Sequence, residues 1–317
     1  MGAEIVAGLV LLAIGGEGLV RGGVNIARRL GLSALFVGVV FVSIGTSAPE
    51  LVVSVGAIQA GQPDIAVGNV IGSNISNVFL VLAFGALIFP IAIQRNIVYR
   101  DGVVLLAASG LLVYLAFQGP LTPTTGAFLV AALVVFVVIS YFSERGAPAI
   151  SGGGQSGFLN ENLVVNILIL GGGVIALMLG AQYLISGSVD LARDLGVSEA
   201  VIGLSLVAVG TSLPELAATV VAALRRHPEV VAGNIIGSGI FNILGIIGVS
   251  ALVAPTPIEF PQSVLMLDVW VMLAAACVIV PFFVSNWRLT RIEGALMLAV
   301  YVAYMSLLFG YWSLPLL

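Results

Sequence analysis

Gly45-Thr46-Ser47-Ala48-Pro49-Glu50-Leu51 returns 165 residues later as Gly210-Thr211-Ser212-Leu213-Pro214-Glu215-Leu216. The same offset carries Ala27-Arg28-Arg29-Leu30-Gly31 onto Ala192-Arg193-Asp194-Leu195-Gly196. It also carries Gly68-Asn69-Val70-Ile71-Gly72-Ser73 onto Gly233-Asn234-Ile235-Ile236-Gly237-Ser238, and Asn77 onto Asn242, with no gap. Apolar segments resemble one another by composition alone, but chance does not preserve Thr, Ser, Pro, Glu and Asn at one fixed spacing. The chain therefore consists of two copies of one unit.

Composition fixes the solvent. Of 317 residues, 60% are hydrophobic and 8% charged, against about 25% charged in soluble domains. Spanning a bilayer takes about 20 apolar residues in a helix. Stretches of that kind recur near 4–28, 34–59, 64–89, 102–118, 124–142, 162–186, 199–224, 229–253, 264–284 and 291–313. The chain is thus expected to be an all-α membrane protein of about ten transmembrane helices. The linker between the copies, 144–161, contains Ser151-Gly152-Gly153-Gly154-Gln155-Ser156-Gly157 and reads as flexible. It separates a first five-helix repeat, 1–143, from a second, 162–317. The N-terminus lacks a basic segment and carries Glu4 and Glu17, unlike a secretory leader. No basic patch interleaves with aromatics, so nucleic acid is not an expected partner; membrane lipid is, and no obligate protein partner is evident. Cys277, the one cysteine, reads as a small buried hydrophobe.

An odd number of spans per copy forces the second copy to enter the membrane inverted. Cytoplasmic loops gather Arg and Lys, and every basic residue here is Arg. Arg28 and Arg29 follow the first span, whereas their counterparts are Arg193 and Asp194; Ala60 and Gly61 follow the second, whereas their counterparts are Arg225 and Arg226. The positive charge changes sides, as inversion demands. Both termini are expected outside, with only Arg193 left on that face. Absence of Lys and compact loops point to a prokaryotic cell membrane.

Most acidic residues fall near span ends. Glu50 and Glu215 fall in mid-span, each directly after a proline. A charge at the bilayer centre costs at least about 2.5–3.5 kcal/mol, so it persists where it pairs, binds an ion or carries a proton. Pro49 and Pro214 lack an N–H, which leaves carbonyls one turn earlier without helical partners, near Ser43–Thr46 and Ala208–Thr211. Such backbone is tolerated at that depth where it lines a polar cavity. Thr46, Ser47, Thr211 and Ser212 add hydroxyls. Ser73 and Asn77 share one helix face at i and i+4, as do Ser238 and Asn242. Asn69 and Asn234 suit helix-to-helix hydrogen bonds, and the glycines around them suit close helix approach. Two inverted halves would bring Glu50 and Glu215 together near the midplane, where transporters of this construction bind ions. The donors are hard oxygens, as calcium requires; thiolates and imidazoles are missing, which argues against zinc or copper. Glu17, whose counterpart is Gln182, breaks the symmetry and suits an entrance or structural role; Asp268 suits a local partner near a span end.

On these residues the sequence resembles the cation/calcium exchanger superfamily, in its prokaryotic sodium/calcium exchanger branch, whose two repeats carry Gly-Thr-Ser-x-Pro-Glu followed by Gly-Asn-x-x-Gly-Ser. The resemblance spans essentially the whole chain. It implies an antiporter, without cofactor, in which sodium and calcium compete for overlapping sites. By motif position, Glu50 and Glu215 would be the central calcium carboxylates and Thr46 and Thr211 would give carbonyl and hydroxyl oxygens. Ser47, Ser212, Ser73 and Ser238, with the carbonyls of Ser43 and Ala208, would complete sodium sites, and Asn77 and Asn242 would line the middle. Some relatives, potassium-dependent ones among them, have Asp where Asn242 stands, and the short linker leaves no room for a calcium-sensing domain. Proton-coupled relatives typically carry an acidic residue where Gly72 and Gly237 stand; its absence favours sodium as counter-ion. A proton-coupled exchanger and a cation channel are the alternatives. No nucleophile–base pair, phosphate loop or cofactor motif suggests an enzyme.

Overall fold

The structure, a computed structural model, describes residues 2–92, 98–144, 162–195 and 210–308. The Gly-rich linker, Ala208 and the first part of the seventh expected span lie outside these residues, as does Tyr311-Trp312. Seven described helices are long and apolar enough to cross a membrane. They are α1 (Gly2–Leu30), α4 (Pro63–Ile88), α5 (Tyr99–Gln118), α6 (Pro123–Glu144), α7 (Leu163–Asp194), α9 (Pro228–Val253) and α11 (Arg291–Leu308). A bent pair, α2 (Val37–Thr46) and α3 (Ala48–Gln59), which meet at 46°, is long and apolar enough only when taken together. Two shorter apolar helices, α8 (Leu213–Leu224) and α10 (Val264–Ile279), stand where the seventh and ninth spans were expected. With its helices, its apolar surface and its membrane relatives described below, the chain is a multi-pass integral membrane protein.

The outer faces of these helices are apolar. Val6, Leu9, Val10 and Ile14 on α1, and Val134, Val135 and Ile139 on α6, are each more than half exposed. A soluble monomer does not carry apolar patches of that extent. Cys277 belongs to this outer surface: it is exposed on α10, not buried as its apolar surroundings suggested. Acyl chains solvate a thiol-bearing methylene as well as a protein core does, so hydropathy alone cannot tell lipid-facing from core-facing positions in a span.

The interior inverts this pattern: polar residues are buried. α4 and α9 form the centre, with Asn74, Asn77, Asn234, Ser238 and Asn242 all buried. Around them lie α2, α3 and α8. The broken helix reflects local chemistry: Ser47 leaves the helical region (φ −86°, ψ 7°), and Pro49 sits in the first turn of α3, where its missing N–H costs nothing. Ser212 adopts the same conformation before α8 (φ −86°, ψ 5°). α4 and α9 each contain a widened π-helical turn, Asn77–Leu82 and Phe241–Ile247. Such turns cluster at functional sites, and these two begin at or beside the central asparagines.

α1 and α7 cross the bundle as an antiparallel pair. A Cβ on Gly8 would meet Leu184 N at 2.6 Å and Gly180 O at 2.9 Å, and one on Gly15 would meet Leu177 N at 2.7 Å and Gly173 O at 2.8 Å. The two backbones touch, which only glycine permits. Gly8 against Gly180 and Gly15 against Gly173 are equivalent contacts, because 165 residues separate Gly8 from Gly173 and Gly15 from Gly180. Of the neighbouring glycines, Gly18 also meets Gly173, Gly16 packs against Val221 and Ala217 of α8, and a Cβ on Gly171 or Gly172 would meet no described atom within 4 Å. Two short main-chain pairings tie the halves: β1 (Ile91–Ala92) with β2 (Arg288–Leu289), and Leu121 with Ile258. At one span end Arg100 bonds both carboxylate oxygens of fully buried Asp101, at 2.8 and 2.9 Å, and Glu144 at 2.7 Å, so α5 and α6 share one ion cluster.

Candidate cation site

Glu50 and Glu215 each sit in the first turn of their helix, three residues past the break, with no exposed surface. They are at helix N-termini rather than in the mid-helix positions the span pattern implied. The positive end of each helix dipole thus faces a carboxylate. Ser47, at the start of α3, donates its hydroxyl to Glu215 Oε1 at 3.0 Å. That bond joins the two motifs directly.

Four further hydrogen bonds draw α4 and α9 in. Thr46 donates its hydroxyl to Asn234 Oδ1 at 3.2 Å. Asn69 donates to the Glu50 carbonyl at 3.1 Å and to Ser54 Oγ at 2.9 Å. The hydroxyls of Ser212 and Ser76 lie 2.7 Å apart. Asn69 and Asn234 therefore bridge helices, as expected of them. Close approach makes this possible: a Cβ on Gly38 would meet Val230 O at 2.8 Å, and one on Gly237 would meet Val39 Cα at 2.7 Å and Ser43 Oγ at 2.8 Å. Only bare backbone lets α9 lie on α2 at that separation.

The remaining oxygens have no hydrogen-bond partner among the described residues. They are both carboxylate oxygens of Glu50, Oε2 of Glu215, Oγ of Ser73, and the side-chain oxygens of Asn77 and Asn242. Native proteins leave few buried polar groups unpaired, and an unpaired buried carboxylate is the costliest kind. Six such oxygens, on α3, α4, α8 and α9, are of the kind that can hold a cation: carboxylates supply charge and neutral oxygens supply coordination number. Calcium takes six to eight oxygens at about 2.3–2.6 Å.

Other expected ligands occupy different situations. Ser43 donates its hydroxyl to Val39 O, and its carbonyl receives the Ser47 N–H at 2.9 Å and the Thr46 hydroxyl at 3.3 Å. Ser238 donates to Asn234 Oδ1 at 3.5 Å, and Thr211 is half-buried at the turn before Ser212. Ala208 lies outside the described residues. Glu17 and Asp268 stand apart from the site. Glu17 pairs with Arg225 at 2.7 and 3.0 Å, tying α1 to the end of α8, and Asp268 accepts the Tyr304 hydroxyl at 2.8 Å. Both have structural partners, and that of Asp268 comes from another helix, α11.

Sequence reasoning missed Ser54, Asn74 and Ser76. Comparing the two copies selects matched residues, and two of these are unmatched: Asn74 aligns with Gly239 and Ser76 with Phe241, whereas Ser54 aligns with the hydroxyl residue Thr219. The run Ser73-Asn74-Ile75-Ser76-Asn77, four polar residues in five within an apolar span, was the available signal.

The family model for the sodium/calcium exchanger protein matches residues 3–142 and 165–310. The sodium/calcium exchanger MaX1 of Methanosarcina acetivorans is 32% identical over 96% of this chain and 97% of its own. The inner membrane protein YrbG of Escherichia coli is 30% identical over 99% of this chain and 98% of its own. Among solved structures, that of the sodium-calcium exchanger NCX_Mj superimposes with a TM-score of 0.83 and 29% identity, covering 96% of this chain and 98% of that one.

Proposed function

The chain belongs to the sodium/calcium exchanger family, a family of transporters rather than enzymes, and from that premise we propose that it exchanges sodium for calcium by alternating access to one midplane site. The observation that carries this is the set of six buried, unpartnered oxygens around Glu50 and Glu215. The two carboxylates balance one calcium ion. Sodium ions, using the hydroxyls and amide oxygens as well, balance the same charge in its place, so one site serves both cargoes in turn.

Two inverted five-helix repeats, 1–143 and 162–317, supply the two sides of the site. The antiparallel pairing of α1 with its own counterpart α7, through contacts that the repeat offset exchanges, supports this arrangement. So does the equal geometry of Ser47 and Ser212. The glycine seam between α1 and α7, with few interlocking side chains, suits sliding of this pair over the core to change which side is open. Both termini lie outside, with the arginine-rich ends cytoplasmic.

Sodium coupling draws support from Gly237. A side chain there would overlap the backbone of α2, so α9 has no room for the acidic residue of proton-coupled relatives. Asn242, a neutral amide, offers no third proton-binding carboxylate.

Flux in liposomes tests this. An outward sodium gradient imposed on purified, reconstituted protein is expected to drive calcium uptake, while potassium or proton gradients of equal size drive none. Uptake driven by a pH gradient without sodium would select the proton-coupled exchanger. Calcium flux with no counter-ion, rising without saturation, would select a channel.

A further inference from the structure

Asn242 carries two chemically different ends, and only one suits a cation. Its carbonyl Oδ1 can ligate; its amide Nδ2 can only donate. The residue has no exposed surface, and Oδ1 has no hydrogen-bond partner among the described residues. Nδ2 donates to Asn74 Oδ1 at 3.2 Å. The amide is therefore held with its nitrogen toward α4 and its oxygen left for the site.

Asn74 is itself held in one orientation. It is buried, and its own Nδ2 lies 3.8 Å from Met272 Sδ on α10. A thioether accepts a hydrogen bond weakly and donates none. Were the Asn74 amide reversed, its oxygen would face the sulfur lone pairs, and its NH2 would take up the very Asn242 oxygen the site needs. Gly239 stands on the helix opposite, where an added Cβ would lie an ordinary 3.7 Å from Asn74 Oδ1. Gly239 is also the repeat counterpart of Asn74, so the second copy has no equivalent side chain. Asn77, the counterpart of Asn242, accordingly has neither amide atom bonded. The two central asparagines are unequal: one is aimed, the other is not.

We propose that Asn74 is a positioning residue, which touches no ion but orients Asn242 so that its oxygen faces the cation, strengthening calcium binding at one half of the site. The inference rests on the exchange function proposed above. Calorimetric titration of calcium into the intact, detergent-solubilised protein tests it across two backgrounds. In the unaltered background Asn74→Ala is expected to weaken calcium binding about tenfold, and Asn74→Asp, which keeps an acceptor for Asn242, about threefold at most. Asn242→Asp presents two equivalent oxygens and needs no aiming, so adding Asn74→Ala to it is expected to change affinity less than about twofold. Equal losses in both backgrounds would mean that Asn74 only fills space and would overturn the proposal, as would an unchanged affinity in Asn74→Ala. If Asn74→Ala fails to fold, a tenfold or greater loss in a well-folded Asn74→Asp overturns it instead. No calcium binding by the unaltered protein would overturn the exchange function itself.

Discussion

Glu50→Gln is expected to abolish sodium-driven calcium uptake while leaving the protein folded. Both Glu50 side-chain oxygens lack hydrogen-bond partners, so the substitution breaks no hydrogen bond and changes volume little. It removes one of the two charges that balance calcium in a site with no exposed surface. Removing one partner of a buried charge pair costs about 3–5 kcal/mol, which corresponds to a loss of affinity of roughly a hundredfold to several thousandfold. Without ions the effect reverses in sign, because the substitution removes a buried carboxylate whose oxygens have no hydrogen-bond partner among the described residues. The thermal midpoint of the ion-free protein is therefore expected to stay level or rise, and the stabilisation by added calcium to vanish. Liposome flux together with thermal unfolding, with and without calcium, checks both halves. A variant that still transports would show that Glu50 is not a ligand; one that is inactive but also unfolds early would show that it is a structural group.

The second large effect is expected at Gly237→Ala. The added methyl would stand 2.7 Å from Val39 Cα and 2.8 Å from Ser43 Oγ. Backbone cannot yield as a flexible side chain does, so α9 must move off α2. Overpacking typically costs about 1–3 kcal/mol, and the displacement here also parts Thr46 from Asn234, a contact of 3.2 Å. Both stability and transport should fall. Gly56→Ala is the control: Gly56 is exposed on α3 with no described neighbour within 4 Å, and Ala is the better helix former by roughly 1 kcal/mol. Thermal unfolding of the two variants in one detergent measures the contrast. Equal stability in both would mean that the α2–α9 approach does not hold the site together.

Much of this was legible in the sequence because the constraints that shape a membrane protein are severe. Lipid admits few charges, so Glu50 and Glu215 stand out against an apolar background, and the repeat makes each the other's witness. Proline and glycine leave marks that local rules decode: Pro49 signals a break in its span, and Gly233 and Gly237 signal a close crossing. What stayed hidden depends on three-dimensional aim. That Ser47 reaches across to Glu215, while its counterpart Ser212 meets Ser76 instead, is a broken symmetry that comparison of matched residues conceals. Asn74 escaped for the same reason, standing opposite a glycine. The outward facing of Cys277 was hidden because lipid and protein core select the same side chains.

Calcium stoichiometry tests the shared site most directly. Titrating calcium calorimetrically into the purified protein should show one ion bound per chain, displaced by sodium, and either Glu50→Gln or Glu215→Gln alone should remove the binding entirely. Two independent calcium ions per chain, one surviving each substitution, would contradict a single site built by both halves.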